Sequence, residues 1–123
     1  MYGDSRVLLC DASVVSRDNL TAILTECGFR VIGHATNTDD AVDRCRLQQP
    51  ELVLMDVGLR GTVDPLVALR QLHRMCPTTI FLATGAMSQS RLMMDALSAG
   101  ARDFLTRPFH RQSVRQTLRL NLG

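Results

Sequence analysis

Residues 52 to 56 read Leu52-Val53-Leu54-Met55-Asp56: four apolar residues in succession, then a carboxylate. A run this short and apolar at every position leaves no face for water, so it reads as a strand buried on both sides of a sheet. Four other short runs share its character: Val7-Leu8-Leu9-Cys10, Val31-Ile32, Ile80-Phe81-Leu82-Ala83 and Phe104-Leu105. Working outward, amphipathic segments of helical period separate them. The first covers about residues 13 to 27, with Leu20, Ile23, Leu24 and Cys27 on one face and Gly28 as a left-handed stop. The second covers about 38 to 48; Asp39 and Asp40 suit its positive end, and Pro50 follows it. The third begins near Pro65, which fits a first helical turn, and ends before Pro77. The fourth covers about 88 to 99 and is closed by Gly100; the fifth runs from about 111 to the C-terminus.

Five βα units in alternation predict an α/β fold: a parallel sheet with helices on both faces, doubly wound. A chain of 123 residues suits a single domain over 1–123, with no linker or internal repeat in it. At 46% hydrophobic and 21% charged residues, it can bury a core without disulfides or metal. A net charge of +2 with no basic run argues against direct nucleic-acid binding. All fourteen basic residues are Arg, so an Arg at any one position partly reflects composition. Cys10, Cys27, Cys45 and Cys76 form no CxxC pair and lie in or beside apolar stretches, which reads as core packing. Free thiols of this kind point to a reducing, cytoplasmic location. No apolar run nears the ~20 residues of a membrane span, and no signal-like segment opens the chain, so no membrane association is expected.

In open parallel sheets the site lies beyond the C-terminal ends of the strands. The first strand is followed by Asp11, the third ends in Asp56, the fourth in Thr84-Gly85 and the fifth in Thr106-Arg107-Pro108. Taken singly, Asp11 reads as a cap of the next helix, Thr84 as a strand terminator and Arg107 as a surface charge. Taken jointly, two carboxylates, a hydroxyl and a guanidinium converge on one crevice. The stretch Asp11-Ala12-Ser13-Val14-Val15 holds no glycine, which argues against a flavodoxin-like enzyme or nucleotide binder. His34, His73 and His110 are scattered and suggest no catalytic triad.

Over about residues 6 to 120 the chain resembles the receiver domain of bacterial two-component response regulators. The resemblance rests on Val7-Leu8-Leu9-Cys10-Asp11, Pro50-Glu51-Leu52-Val53-Leu54-Met55-Asp56, Phe81-Leu82-Ala83-Thr84-Gly85 and, most specifically, Ala99-Gly100-Ala101-Arg102-Asp103-Phe104-Leu105-Thr106-Arg107-Pro108-Phe109. It implies a flavodoxin-like sheet of strand order 2-1-3-4-5. It also implies a phosphorelay function, with Asp56 accepting a phosphoryl group from a histidine kinase or phosphotransfer protein. Asp11, Asp56 and the backbone carbonyl of Gly58 would bind Mg²⁺. Thr84 and Arg107 would contact the phosphoryl group. Thr84 and Phe104 would act as the switch, altering the surface of helix four, strand five and helix five for an effector, an output domain or a second copy of the chain. Such a domain is not an enzyme beyond its own aspartyl phosphorylation and dephosphorylation.

The chain departs from the family pattern at three places. Cys10 stands where a first acid is usual, which predicts weakened Mg²⁺ binding, since a soft neutral thiol is a poor magnesium ligand. Arg107 replaces the usual Lys; a planar fork has a different reach and favours a standing ion pair with Asp56, Asp11 or both. The loop Gly58-Leu59-Arg60-Gly61-Thr62-Val63-Asp64-Pro65 is one residue longer than the commonest form. These changes keep open an alternative, a pseudo-receiver that serves as a protein-interaction module without phosphate. Small Gly58 and Ala86 beside the acceptor predict an open water path and a short-lived acyl phosphate. Leu92, Met93, Met94 and Leu97 exceed what one buried helix stripe needs, which marks the fourth helix as a candidate partner surface.

Overall fold

The structure is a computed structural model and describes residues 3–123. In chain order the elements are β1 (Arg6–Cys10), α1 (Val14–Glu26), β2 (Arg30–Ala35), α2 (Thr38–Gln48), β3 (Leu52–Asp56), α3 (Pro65–Met75), β4 (Ile80–Ala86), α4 (Ser90–Ala99), β5 (Asp103–Arg107) and α5 (Arg111–Leu122). All strand pairings are parallel, and the order is β2-β1-β3-β4-β5.

Strand alternation divides the core in two. Leu52 and Leu54 of β3 pack with Leu20, Ile23 and Leu24 of α1 and with Val114 and Leu118 of α5. Val53 and Met55 point the other way, toward Cys45 of α2, Leu69 and Leu72 of α3 and Met93 of α4. A strand buried on both faces must be apolar at every position, which is why 52 to 55 carries no polar residue.

Local chemistry sets the helix ends. Ser13, Asn37 and Asp64 cap α1, α2 and α3 by accepting from the backbone N–H of Ser16, Asp40 and Leu66. Gly28 follows α1 at φ 97°, the left-handed turn expected of it. Two elements differ from the sequence expectation. β2 is six residues rather than two, because an edge strand pairs only with β1 and most of its side chains stay partly exposed. α4 begins at Ser90 rather than near 88, because Met87–Gln89 forms a separate 3₁₀ turn and the Gln89 side chain accepts from Ala86 N–H at 2.9 Å.

Candidate functional site

The sheet assembles the crevice by parity. Leu9, Leu54, Leu82 and Leu105 all belong to the core on the α1/α5 side. Two residues beyond each stand Asp11, Asp56, Thr84 and Arg107. Side chains two apart along a strand share a face, so four leucines aim four functional groups to the same side at the sheet's C-terminal edge. Asp56 lies opposite Thr84 in the β3/β4 register, and both are buried. All four sequence-predicted groups thus come together.

The Asp56 carboxylate is held at one oxygen. Its Oδ1 accepts from Gly58 N–H at 3.0 Å and from Arg107 Nη2 at 3.2 Å. The other arm of the same guanidinium, Nη1, donates to Asp11 Oδ2 at 3.3 Å. Asp11 Oδ1 accepts from Ser13 N–H at 2.8 Å, and Arg17 donates to the Asp11 backbone carbonyl at 2.9 Å. Arg107 therefore bridges both carboxylates, the standing pair expected from its fork. Burial pushes the Asp11 carboxyl above the usual carboxylate range, and the neighbouring charge of Asp56 adds to this, against the opposing pull of Ser13 N–H and Arg107.

Two facing carboxylates are a hard-oxygen donor set. Magnesium takes few carboxylates and keeps its waters, so Asp11, Asp56 and the backbone at Gly58 fit that ion. Among the described residues no three His, Cys, Asp or Glu side chains cluster in a way that would suit a softer or more demanding metal. Cys10, one residue before Asp11, has the opposite parity. It is fully buried in the α2/α3/α4-side core with Ala35, Ala41 and Cys45. That burial, with Cys45 nearby, drives its thiol far above the usual range and keeps it neutral.

Phe104 is half-buried on β5, packed against the α4-side core, and lines a cleft of about 290 Å³ with Met87, Pro108 and Val114. On α4, Met93 is core and Leu97 is half-buried, while Leu92 and Met94 remain exposed. Half of the apolar excess on that helix is thus accounted for by packing. The long loop after β3 is tied to the start of α2: Thr38 N–H donates to the Arg60 carbonyl at 2.7 Å, and Thr38 Oγ1 to the Val63 carbonyl at 2.7 Å. The expected open water path above Gly58 is instead occupied. The Gln89 carboxamide lies there, within 3.0 Å of where a Gly58 Cβ would stand. Sequence reasoning missed Gln89 because a residue three positions past a strand end carries no periodic signal; only the small residues Gly58 and Gly85 could have hinted at a close approach.

The family model of the response regulator receiver domain matches residues 7–119. The chain is 31% identical to a chemotaxis protein CheY of Thermotoga maritima over 92% of its own length and 93% of the relative's. It is 32% identical to a protein-glutamate methylesterase/protein-glutamine glutaminase of Pseudomonas fluorescens, over 85% of this chain but 28% of that one. Among solved structures, the signal receiver domain of the putative response regulator NarL from Mycobacterium tuberculosis superposes with a TM-score of 0.84 at 21% identity, covering 98% of each chain, which speaks to the fold. The chain belongs to the response regulator receiver family of two-component systems.

Proposed function

We propose that the chain is a phosphorelay receiver in which Asp56 takes a phosphoryl group from a phosphohistidine on a histidine kinase or phosphotransfer protein. The observation that carries this is the asymmetry of the Asp56 carboxylate. Oδ1 is held by Gly58 N–H and Arg107, while Oδ2 accepts no hydrogen bond among the described residues. Oδ2 is then the nucleophile: it bonds to phosphorus as the P–N bond of phosphohistidine breaks, and the released imidazole takes up a proton. Such transfer depends on positioning and charge neutralisation, and a buried carboxylate at the rim of a rigid strand supplies the first. Asp11, Asp56 and the Gly58 carbonyl would hold Mg²⁺, which when bound supplies neutralising charge. Affinity is reduced because Arg107 already offsets one of the two carboxylate charges and holds an oxygen of each; Cys10, which the sequence suggested as the cause, lies on the opposite face of β1 in the core and does not reach the site.

Thr84, beside the acceptor, donates its hydroxyl to the new phosphoryl group, and Arg107 swings from the carboxylates to the phosphoryl oxygens. Phe104 then follows Thr84 inward, changing the α4–β5–α5 surface that an effector, an output domain or a second copy reads. The chain works in the cytoplasm and catalyses nothing beyond its own phosphorylation and dephosphorylation.

One observation favours a second reading. Arg107 spans Asp11 and Asp56 with its two arms, a standing ion pair of the kind that a pseudo-receiver fixed in one state would require. Intact mass after incubation with acetyl phosphate and Mg²⁺ separates the two; the chain has no Trp, so a fluorescence assay resting on that residue does not serve. A phosphoryl adduct on the wild type that is absent from Asp56→Asn is the expected result. No adduct from acetyl phosphate or from a phosphohistidine donor assigns the chain to the pseudo-receiver class.

A further inference from the structure

Gln89 is anchored at one end and free at the other. Its Oε1 accepts from Ala86 N–H at 2.9 Å. Its Nε2 lies over Gly58: a Cβ built there would be 3.0 Å from Nε2 and 3.6 and 3.9 Å from the two carboxylate oxygens of Asp56. On the other flank, a Cβ at Gly85 would come within 3.1 Å of Oε1. Two glycines thus make room for one carboxamide, which stands where a side chain at residue 58 would otherwise screen the acceptor. Nothing among the described residues accepts from its two N–H groups.

We propose that Gln89 sets the lifetime of the aspartyl phosphate by holding the hydrolytic water over phosphorus; this rests on Asp56 being the acceptor. An amide offers both a donor and an acceptor. Nε2 donates to one lone pair of the water, the second lone pair of Oε1 accepts one of its protons, and the water's other lone pair faces phosphorus. The water oxygen bonds to phosphorus as the P–Oδ2 bond breaks. The bonding electrons return to Asp56 as carboxylate, and both water protons leave with inorganic phosphate. Orienting the attacking water is the role a glutamine takes in other phosphoryl-transfer sites. Anchoring Oε1 on Ala86 N–H fixes the amide in advance, so little freedom is lost on capturing the water. The short lifetime expected from the sequence is retained, but its cause is an ordered water rather than an open path.

The test is the decay of the adduct by intact mass after the full-length chain is phosphorylated with acetyl phosphate and Mg²⁺ and the donor is removed. Gln89→Met keeps the bulk without the amide. Gln89→Glu keeps the length and the bond to Ala86 N–H but loses the donor. Both are expected to slow decay about tenfold, the scale of one hydrogen bond. For Gln89→Glu the ratio to wild type should close below about pH 4, where a glutamic acid regains a proton to donate. Gly58→Ala, which displaces the amide while leaving Gln89 in place, should slow decay in the same direction and covers the case in which a Gln89 variant fails to fold. Equal decay in all variants, or faster decay in Gln89→Met, overturns the inference while leaving Asp56 as acceptor. A wild-type chain that takes no phosphoryl group overturns both readings.

Discussion

Arg107 puts one positive charge between two carboxylates, and its side chain is about a quarter exposed. Removing it leaves Asp11 and Asp56 facing each other without a counterion. Breaking a fully buried pair costs about 3–5 kcal/mol; with water reaching this guanidinium, Arg107→Ala is expected to cost about 1–2 kcal/mol and lower the melting temperature by several degrees. The same variant should gain more in melting temperature from millimolar Mg²⁺ than the wild type, because ion and guanidinium compete for the same oxygens. An equal magnesium response in calorimetry would mean that Arg107 does not occupy the cation's place. Asp11 behaves oppositely. Burial and the charge of Asp56 raise its carboxyl in the folded chain, so the folded state holds that proton more tightly than the unfolded one. The stability cost of ionisation is then absent in acid and appears as pH rises through the unfolded and then the folded range. Asp11→Asn should therefore melt about 2–4 °C higher than wild type near neutrality, with the difference vanishing as pH falls below the folded range. A lower melting point at neutral pH would mean that the carboxylate is net stabilising. Asp11, Asp56, Thr84 and Arg107 were legible in the sequence because strand ends and two-residue parity are written in it. Gln89 was not, because its place depends on a 3₁₀ turn and a side-chain path that no periodicity encodes.

Among the elements, the loop from β3 to α3 shows what a family comparison alone leaves unexplained. Residues 60 to 63 of this loop dock against α2. The start of that helix gives Thr38 N–H to Arg60 and Thr38 Oγ1 to Val63, and Asp39 accepts from Thr62 N–H at 2.9 Å. Gly61 makes the approach possible: it sits at φ 157°, and a Cβ there would run into Thr38 Oγ1 and stand 2.8 Å from Thr38 N. Neither partner can yield, since Thr38 is fully buried and its backbone N–H is committed to the loop. Gly61→Ala is therefore expected to destabilise the fold by about 2 kcal/mol or more, through overpacking and loss of these bonds. Urea denaturation would measure it; a change below about 0.5 kcal/mol would mean that the loop is free to shift. Because this loop begins at Gly58, whose N–H holds Asp56 Oδ1, the same substitution should loosen the acceptor. The helix limits were mostly readable, since Gly28, Asn37, Asp64 and Pro65 mark turns and caps by their own chemistry. The α4 start was misread by two residues, because only the Gln89–Ala86 bond shows the separate 3₁₀ turn at 87 to 89.

At the scale of the whole molecule, the alternation of short apolar runs with amphipathic segments was enough for a doubly wound parallel sheet. Strand order was not: right-handed crossovers restrict it without fixing where each strand inserts, so 2-1-3-4-5 came from resemblance and is what the pairings show. That order decides how the two cores differ in their access to the site. β4 and β5 are neighbours, with Ala83 opposite Phe104. β4 carries Thr84 and continues to Ala86, directly before the turn that holds Gln89 and leads into α4. A displacement of Thr84 therefore has a short covalent and packed route to α4, Phe104 and α5. α2 packs beside β2 at the opposite edge of the sheet, and only its start is tied to the loop that leaves Asp56. Binding a phosphoryl mimic at Asp56 should be felt unequally. With beryllofluoride and Mg²⁺, amide hydrogen exchange is expected to change across residues 84 to 107 and along α5, while the second half of α2 stays as it was. Asp56→Asn should show no change anywhere. Met87, which is 77% exposed at the mouth of the Phe104 cleft, is expected to be among the most affected positions. If the mimic binds and exchange is altered only at residues 56 to 64, the acceptor is not coupled to the α4–β5–α5 face. The chain would then take phosphate without passing the signal through that surface, and its partner would have to read the β3–α3 loop itself.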